Sequence, residues 1–369
     1  MKKSLLALAV LGAFAGAASA QSSVTLFGVV DVNVKSVKNA DTTTRQVGTD
    51  GLASSRLGFR GIEDLGGGLQ AGFWIEGAMT PDDGTAGGQT WRRRSTVSLL
   101  GGFGEVRLGR DYTPTFWNLT VFDPFGTNGV GSYLNLFQQN SSSSAANTPL
   151  LSGAQTLVRA SNTVGYFLPT NLGGFYGQAQ VAAPEGTAGT KYVGGRVGYG
   201  VGPVNVAGAW GKTRISGSNP APQRNFTMID FGGSYDVGFA QFMAQYSRMT
   251  TEQIGSFVGD AKQTNWLLGT VVPMGQGQIR ASYAKAKGSE AAEGASAKQL
   301  ALGYVYNLSK RTALYGTYSR ITNDGAANFV VGSPPPVSPL AVSAAGVVTL
   351  SSMSGQTSSG YEVGIRHSF

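Results

Sequence analysis

Apolar and polar residues alternate with a period of two along most of this chain. From Ser23, the residues Val24, Leu26, Gly28, Val30 and Val32 alternate with Thr25, Phe27, Val29, Asp31 and Asn33. Near Gln278, Ile279, Ala281 and Tyr283 alternate with Gln278, Arg280 and Ser282, and Phe242 and Tyr246 alternate with Gln241 and Gln245. In the stretch from Gln299, Leu300, Leu302, Tyr304 and Tyr306 fall on one parity. Successive side chains of a strand point to opposite faces, so each segment predicts a strand with one apolar face and one polar or small face.

About sixteen such segments occur. They span 23–35, 52–62, 68–78, 91–101, 104–111, 160–168, 174–183, 190–200, 203–212, 224–236, 238–248, 262–272, 277–287, 297–308, 311–321 and 359–369. The connections come in two kinds. Tight ones, such as Gly101-Gly102-Phe103, Gly200-Val201-Gly202 and Asp236-Val237-Gly238, alternate with long polar ones at 36–51, 79–90, 112–158, 213–223, 249–261, 288–296 and 322–358. Alternating short turns and long loops on an even number of strands predict an all-β fold, a 16-stranded antiparallel transmembrane β-barrel. A soluble β-sandwich would carry fewer strands and no such strict alternation.

The third long loop, 112–158, is rich in Phe, Asn, Gly and Ser, including Ser141-Ser142-Ser143-Ser144. Its Phe-rich first half predicts a loop folded inward, since a sixteen-stranded barrel leaves an aqueous lumen to narrow. The late loop 322–358, with Pro334-Pro335-Pro336, reads as an external flap.

The N-terminus changes the picture of where the barrel works. Lys2 and Lys3, an apolar stretch from Leu5 to Ala17, and Ala18-Ser19-Ala20 before Gln21 have the order of a secretory signal peptide, so residues 1–20 are expected to be removed and 21–369 to form the barrel. No later run of about 20 apolar residues would supply a membrane helix, which leaves a closed barrel as the way to span lipid. The 55 glycines have no collagen period and suit many turns and curved strands, and only 13% of residues are charged. No cysteine is present, as suits a hydrogen-bonded wall that needs no staple. The formal charge of +8 becomes +6 without the two leader lysines, and apart from Arg92-Arg93-Arg94 the arginines sit singly within strands rather than in surface blocks. That placement indicates a charged interior rather than a nucleic-acid surface.

Several ordered stretches carry a family resemblance. They are Ser23-Val24-Thr25-Leu26-Phe27-Gly28-Val29-Val30-Asp31, Ser55-Arg56-Leu57-Gly58-Phe59-Arg60-Gly61 running into Glu63-Asp64-Leu65-Gly66-Gly67-Gly68-Leu69, and Phe103-Gly104-Glu105-Val106-Arg107-Leu108-Gly109-Arg110. Arg159-Ala160-Ser161-Asn162-Thr163-Val164-Gly165-Tyr166 and the terminal Gly364-Ile365-Arg366-His367-Ser368-Phe369 complete the set. The chain resembles the trimeric general porins of Gram-negative outer membranes, of the β-proteobacterial type, over essentially its whole mature length. The resemblance implies a water-filled channel for small hydrophilic solutes in the cell outer membrane, a homotrimer, no cofactor, and insertion by the barrel-assembly machinery. Tyr361, Val363, Ile365, His367 and Phe369 share one face, and the terminal aromatic Phe369 looks like the signal that this machinery reads.

The resemblance also implies an eyelet at which wall arginines face acidic residues of the third loop. Strand parity points Arg56 and Arg60 inward, opposite Leu57 and Phe59, and Arg159 inward, opposite Val164 and Tyr166. Parity is ambiguous for Arg92-Arg93-Arg94, and the family's spacing to Leu99 selects Arg93. Asp123 and, at the root of the loop, Asp111 are the acids expected there; where family members often read Pro-Glu-Phe-Gly this chain reads Asp123-Pro124-Phe125-Gly126 and lacks the Glu. Fewer loop acids against intact arginines predict a net positive constriction and a preference for anions. A homotrimer is further suggested by Gly28, Gly61, Thr96 and Ser98, read as small or polar residues on the lipid face.

Two rival functions compete with a general pore. The first is an enzyme. Histidine occurs once, as His367, and cysteine not at all, which excludes Ser-His-Asp, Cys-His and His-based metal chemistry. Asp82-Asp83-Gly84 reads as a solvated turn rather than a calcium loop. The other rival is a substrate-specific channel in which Arg56, Arg60, Arg93 and Arg159 bind phosphate or a carboxylate.

Overall fold

The computed structural model describes residues 23–84, 90–137, 156–186, 189–216, 223–252, 259–290, 292–332 and 354–369. The expected leader at 1–20, the serine run 141–144 and the prolines 334–336 lie outside the described residues.

The first strands are β1 (Ser23–Asn39), β2 (Thr42–Thr49), β3 (Arg56–Gly66), β4 (Leu69–Ala78), β5 (Arg94–Gly101) and β6 (Gly104–Tyr112). After a long inward excursion come β7 (Arg159–Phe167), β8 (Phe175–Ala182), β9 (Lys191–Val201), β10 (Val204–Ser216), β11 (Gln223–Asp236) and β12 (Gln241–Thr251). The wall ends with β13 (Ala261–Met274), β14 (Gly277–Glu290), β15 (Ala295–Asn307), β16 (Thr312–Gly325) and β17 (Thr357–Ser368). Each strand pairs antiparallel with its neighbours, and β17 pairs with β1 over eleven residue positions to close the wall. β2 and β3 both pair with the same edge of β1, at Val32–Asn39 and Ser23–Val29, so together they form one interrupted stave and the barrel has sixteen.

Closure ends on the last residue. Phe369 N–H donates to Gly28 O at 3.1 Å and Gly28 N–H donates to Phe369 O at 3.1 Å. The Phe369 ring lies over Gly28, where a Cβ would overlap it. The seam therefore needs glycine at this one outward position.

The outer face is apolar, as the alternation predicts. Val24, Leu26 and Val34 of β1, Phe231 of β11, Leu268 of β13, Leu300 of β15 and Val363 of β17 are all exposed on it, while Asp31, Asn33, Asp230, Gln299 and Glu362 on the opposite parity are buried. A surface like this is stable only against lipid. No helix of the described residues is long and apolar enough to cross a membrane.

Three expectations are corrected. The first long connection, 36–51, is instead a hairpin: β1 continues to Asn39 and β2 begins at Thr42. Five of β2's first six residues are polar and the first six are exposed, so the alternation that marks a wall facing lipid is missing there. The irregular segment is 50–55, which bends inward around Asp31; its carboxylate accepts Leu52 N–H at 2.8 Å, Ala53 N–H at 2.7 Å and the Tyr315 hydroxyl. The start of the late loop is not an external flap either. Ala327, Phe329 and Val331 are buried in one apolar cluster with Val130, Leu134, Leu136 and Phe137 of the third loop. Finally, Thr96 and Ser98 are buried and face the lumen, Thr96 paired with Trp74, while Val97 and Leu99 point outward. Of the residues read as small or polar on the lipid face, only Gly28 and Gly61 lie there, paired with Leu57 and with Val24 and Phe73.

Candidate functional site: a basic constriction opposite the third loop

The site begins where β6 leaves the wall. A register shift falls between Gly109 and Asp111, and Gly109 has φ +121°, a conformation that L side chains rarely adopt. A bulge re-aims the residues around it. Arg110, paired with Ser95 on the wall, turns its guanidinium to Ser161 Oγ at 2.7 Å and to Arg92 O at 2.6 Å.

The third loop then crosses the lumen. Helix α1 (Pro114–Val121) carries Pro at its first turn, where no backbone donor is required, and buries Phe116, Asn118 and Leu119 against β8–β11. The chain continues as Phe122-Asp123-Pro124-Phe125 across wall positions occupied by glycine. A Cβ at Gly232 would overlap the Phe122 ring, and one at Gly269 would overlap Pro124. Wall amides then hold the loop's carbonyls: Gln245 Nε2 donates to Leu119 O at 2.9 Å, Gln263 Nε2 to Leu136 O at 2.6 Å, and Gln299 Nε2 to Gly131 O and Ser132 O at 3.0 Å. Glu362 of β17 accepts Val130 N–H at 3.0 Å. The Gln positions read in the sequence only as the polar face of strands are the clamp for this loop.

On the uncovered side a cavity of about 1140 Å³ opens, lined by Arg56, Arg92, Arg93, Arg94, Arg110, Arg159 and Lys35 against Asp50, Glu76, Asp82 and Glu362. Three of the expected arginines meet here. Tyr112 Oη accepts from Arg93 Nη2 at 3.1 Å and from Arg159 Nη2 at 2.7 Å, and the Arg159 guanidinium carbon sits 4.3 Å from the Tyr112 ring centroid. A phenol face and hydroxyl favour cations without neutralising them. Arg56 joins the group through Glu76, which lies 3.9 Å from Arg56 Nε and 2.5 Å from Arg93 Nε. Trp74 Nε1 donates to the other Glu76 oxygen at 3.2 Å.

The other expected residues are placed elsewhere. Arg60 faces the lumen four residues past Arg56, about 13 Å along the strand toward the short turns. Its guanidinium carbon rests 5.5 Å from the Phe27 ring and 5.2 Å from the Trp74 ring. Asp111 is buried, paired with Arg107 and 3.9 Å from Arg94 Nε. Asp123 is only 4% exposed, and its oxygens accept the backbone N–H groups of Phe125, Thr127 and Tyr133, each at 3.0 Å. Burial pushes its pKa above the ordinary carboxylate value against the pull of those donors. Asp123 thus shapes the loop and stands apart from Arg56, Arg93 and Arg159, with Arg280 of β14 as the arginine its charge feels.

Two residues of the cluster were not foreseen, Glu76 and Tyr112. Glu76 had a signal, since it shares parity with Trp74 and pairs across β4 and β5 with Arg94. Tyr112 had none, because its position depends on the bulge. Among the described residues no group of His, Cys, Asp and Glu could hold a metal ion.

A sixteen-stranded barrel with a lipid-facing exterior, a loop clamped across its lumen and a basic cavity beside that loop is an outer-membrane channel. The chain belongs to the Gram-negative porin family, whose model matches residues 7–326. It is 42% identical over the full length of both chains to outer membrane porin protein 32 of Delftia acidovorans. It is 28% identical to an outer membrane porin protein of Bordetella pertussis, over 87% of this chain and 94% of that one. Among solved structures it resembles the anion-selective porin from Comamonas acidovorans, with TM-score 0.79 and 38% identity, covering 95% of this chain and all of the other. The fold recurs in OmpT of Vibrio cholerae, solved in a trimer form, at TM-score 0.66 and 15% identity over 94% of this chain and 99% of that one. The protein is a non-enzymatic β-barrel channel of the outer membrane.

Proposed function

We propose that this porin passes small hydrophilic solutes by passive diffusion and prefers anions at a constriction formed by Arg56, Arg93 and Arg159. The observation that carries the reading is the imbalance of the cluster. Three guanidinium groups converge with one carboxylate, Glu76, and the fourth member, Tyr112, contributes no charge. Asp50 and Glu362, which also line the cavity, spend oxygens on the backbone N–H groups of Ser55 and Val130. Rings of arginine suit anion pores, and the relative from Comamonas acidovorans is itself an anion-selective porin. A cavity of about 1140 Å³ favours sorting by field over a fitted phosphate or carboxylate site.

The test is the reversal potential of single channels in a KCl gradient. An anion-selective sign is expected for the native protein, and R56S/R93S/R159S is expected to bring the potential to zero or past it. A cation-selective native channel would end the proposal.

The protein also assembles, in this reading, as a homotrimer after removal of residues 1–20, with Phe369 as the residue the assembly machinery recognises. A trimer-sized band in unboiled gels is expected, and F369A is expected to lower the yield of folded barrel in the outer membrane.

A further inference from the structure

The lumen-facing side of the wall is polar or small along most strands, but apolar side chains gather at one place on it. Phe27 of β1, Ile62 of β3, Trp74 of β4 and Leu100 of β5 share the inward parity of Arg60, on the short-turn side of the constriction. Arg60 pairs directly with Trp74. Gly58 makes room for the Phe27 ring, which a Cβ there would overlap, and Ile62 and Leu100 both stand within contact of Gly72. Ile62 is 51% exposed, so the patch meets the water of the pore. Sorting small ions by field calls for no such patch.

Arg60 has all its N–H donors open beside it. Its guanidinium carbon is 5.5 Å from the Phe27 ring and 5.2 Å from the Trp74 ring, and those rings lie 4.8 Å apart at a tilt of 59°. Cation–π contact favours the charge without using a donor. The other arginines stacked on rings are engaged. Arg94 bonds Thr96 and lies near Asp111, and Arg107 bonds Glu105 and Asp111. Arg159 bonds Tyr112, and Arg196 bonds Asn118 and Tyr176. Arg60 is exposed, and among the described residues no carboxylate lies within ion-pair distance of it.

We infer that Arg60, with Phe27, Trp74 and Ile62, is a subsite for aromatic carboxylates. The inference builds on the anion preference proposed above, and the subsite lies beside the constriction rather than within it. The solute's carboxylate takes the N–H edge of Arg60, for which a planar guanidinium is a bidentate match. Its flat ring lies against the water-facing side of the guanidinium and the apolar patch next to it. An aliphatic carboxylate of similar size keeps the charge contact and lacks the stacking. Binding is weak, since conduction requires that a solute leave as readily as it enters.

The experiment records chloride current through the full mature barrel in planar bilayers at neutral pH, with benzoate or cyclohexanecarboxylate added. Benzoate is expected to halve the current at a concentration about two- to fivefold below that of cyclohexanecarboxylate, the size of an exposed cation–π contact. Arg60→Lys keeps the charge without the planar face and is expected to bring the two concentrations together. Arg60→Gln is expected to raise both. Native heat-modifiable migration shows that the variants are folded. Equal potency of the two acids on the native channel, or a benzoate preference kept in full by R60K, would overturn the inference. The reversal potential in a KCl gradient is read on the same channels. A cation-selective native channel that still separates the two acids would count against the proposed selectivity alone.

Discussion

The two halves of the lumen wall obey opposite rules. Staves β3–β7 and the residues beside them turn Arg56, Arg93, Arg94, Arg110 and Arg159 toward the cavity, whereas β11–β15 present Gly232, Gly269, Gly303, Gln245, Gln263 and Gln299 to the third loop. Both faces belong to one sheet, and both follow the same alternation. What separates them is whether a second layer covers them. Long charged side chains cannot be covered without partners, so most stand where the loop is absent, and Arg196 of β9, which lies under it, meets Asn118 of α1. Glycine leaves room for loop side chains, and glutamine donates to the loop's backbone carbonyls. The loop therefore lies on a wall that is mostly small and neutral, with Asp230 of β11 bonded to Asn118 of α1, and the channel is squeezed toward the arginines.

Changes that exchange the characters of the two halves should have the largest effect. G232L/G269L places side chains beneath Phe122 and Pro124, and overpacking of this kind costs about 1–3 kcal/mol at each site. The loop is expected to lift from the wall, seen as altered single-channel conductance with strong open-channel noise. Conductance and noise equal to the native channel would show that the glycines do not seat the loop.

Loss of one guanidinium from the open half comes next. Arg93→Ser removes the residue that contacts both Glu76 and Tyr112 and is expected to lower the anion-to-cation permeability ratio several-fold while the barrel stays folded. Glu76→Gln acts in the opposite direction, raising that ratio, with a modest loss of thermal stability because Arg56 and Arg93 lose their shared carboxylate. A fall in the ratio for E76Q would mean that Glu76 positions the arginines more than it screens them.

Smaller still is the effect of ionic strength. Raising salt from about 0.1 M to about 1 M shortens the screening length from about 10 Å to about 3 Å, so the permeability ratio is expected to move toward unity without a change in the order of variants. The smallest change is Tyr112→Phe, which removes one acceptor shared by two arginines, a loss of about 1 kcal/mol locally. Selectivity is expected to keep its sign, with faster current fluctuations.

Much of this arrangement was legible in the residue order. A period of two identified the staves, and the parity of Arg56 and Arg60 placed both in the lumen. The Phe-rich first half of 112–158 marked a loop with something to pack against. Other parts were not legible for definite reasons. β2 lies among residues that do not alternate, so it read as loop. Thr96 and Ser98 read as outward because they are small, whereas the apolar Val97 and Leu99 between and beside them were the better guide to parity. Asp123 read as a pore acid because it is the carboxylate the loop keeps where the family's motif has a Glu, yet three backbone N–H donors from its own loop enclose it.

The sequence by itself determined the class of fold, the membrane-facing side of the strands that alternate cleanly and the basic character of the lumen. These are properties of local periodicity and charge, and each can be read within about ten residues. Tertiary structure alone decided which arginines meet, which carboxylate stands among them and where the loop rests. Arg93, Tyr112 and Arg159 come from three segments, brought together by barrel closure and by one bulge at Gly109. Parity says which face a side chain takes, but only register and bulges set its position around and along the pore.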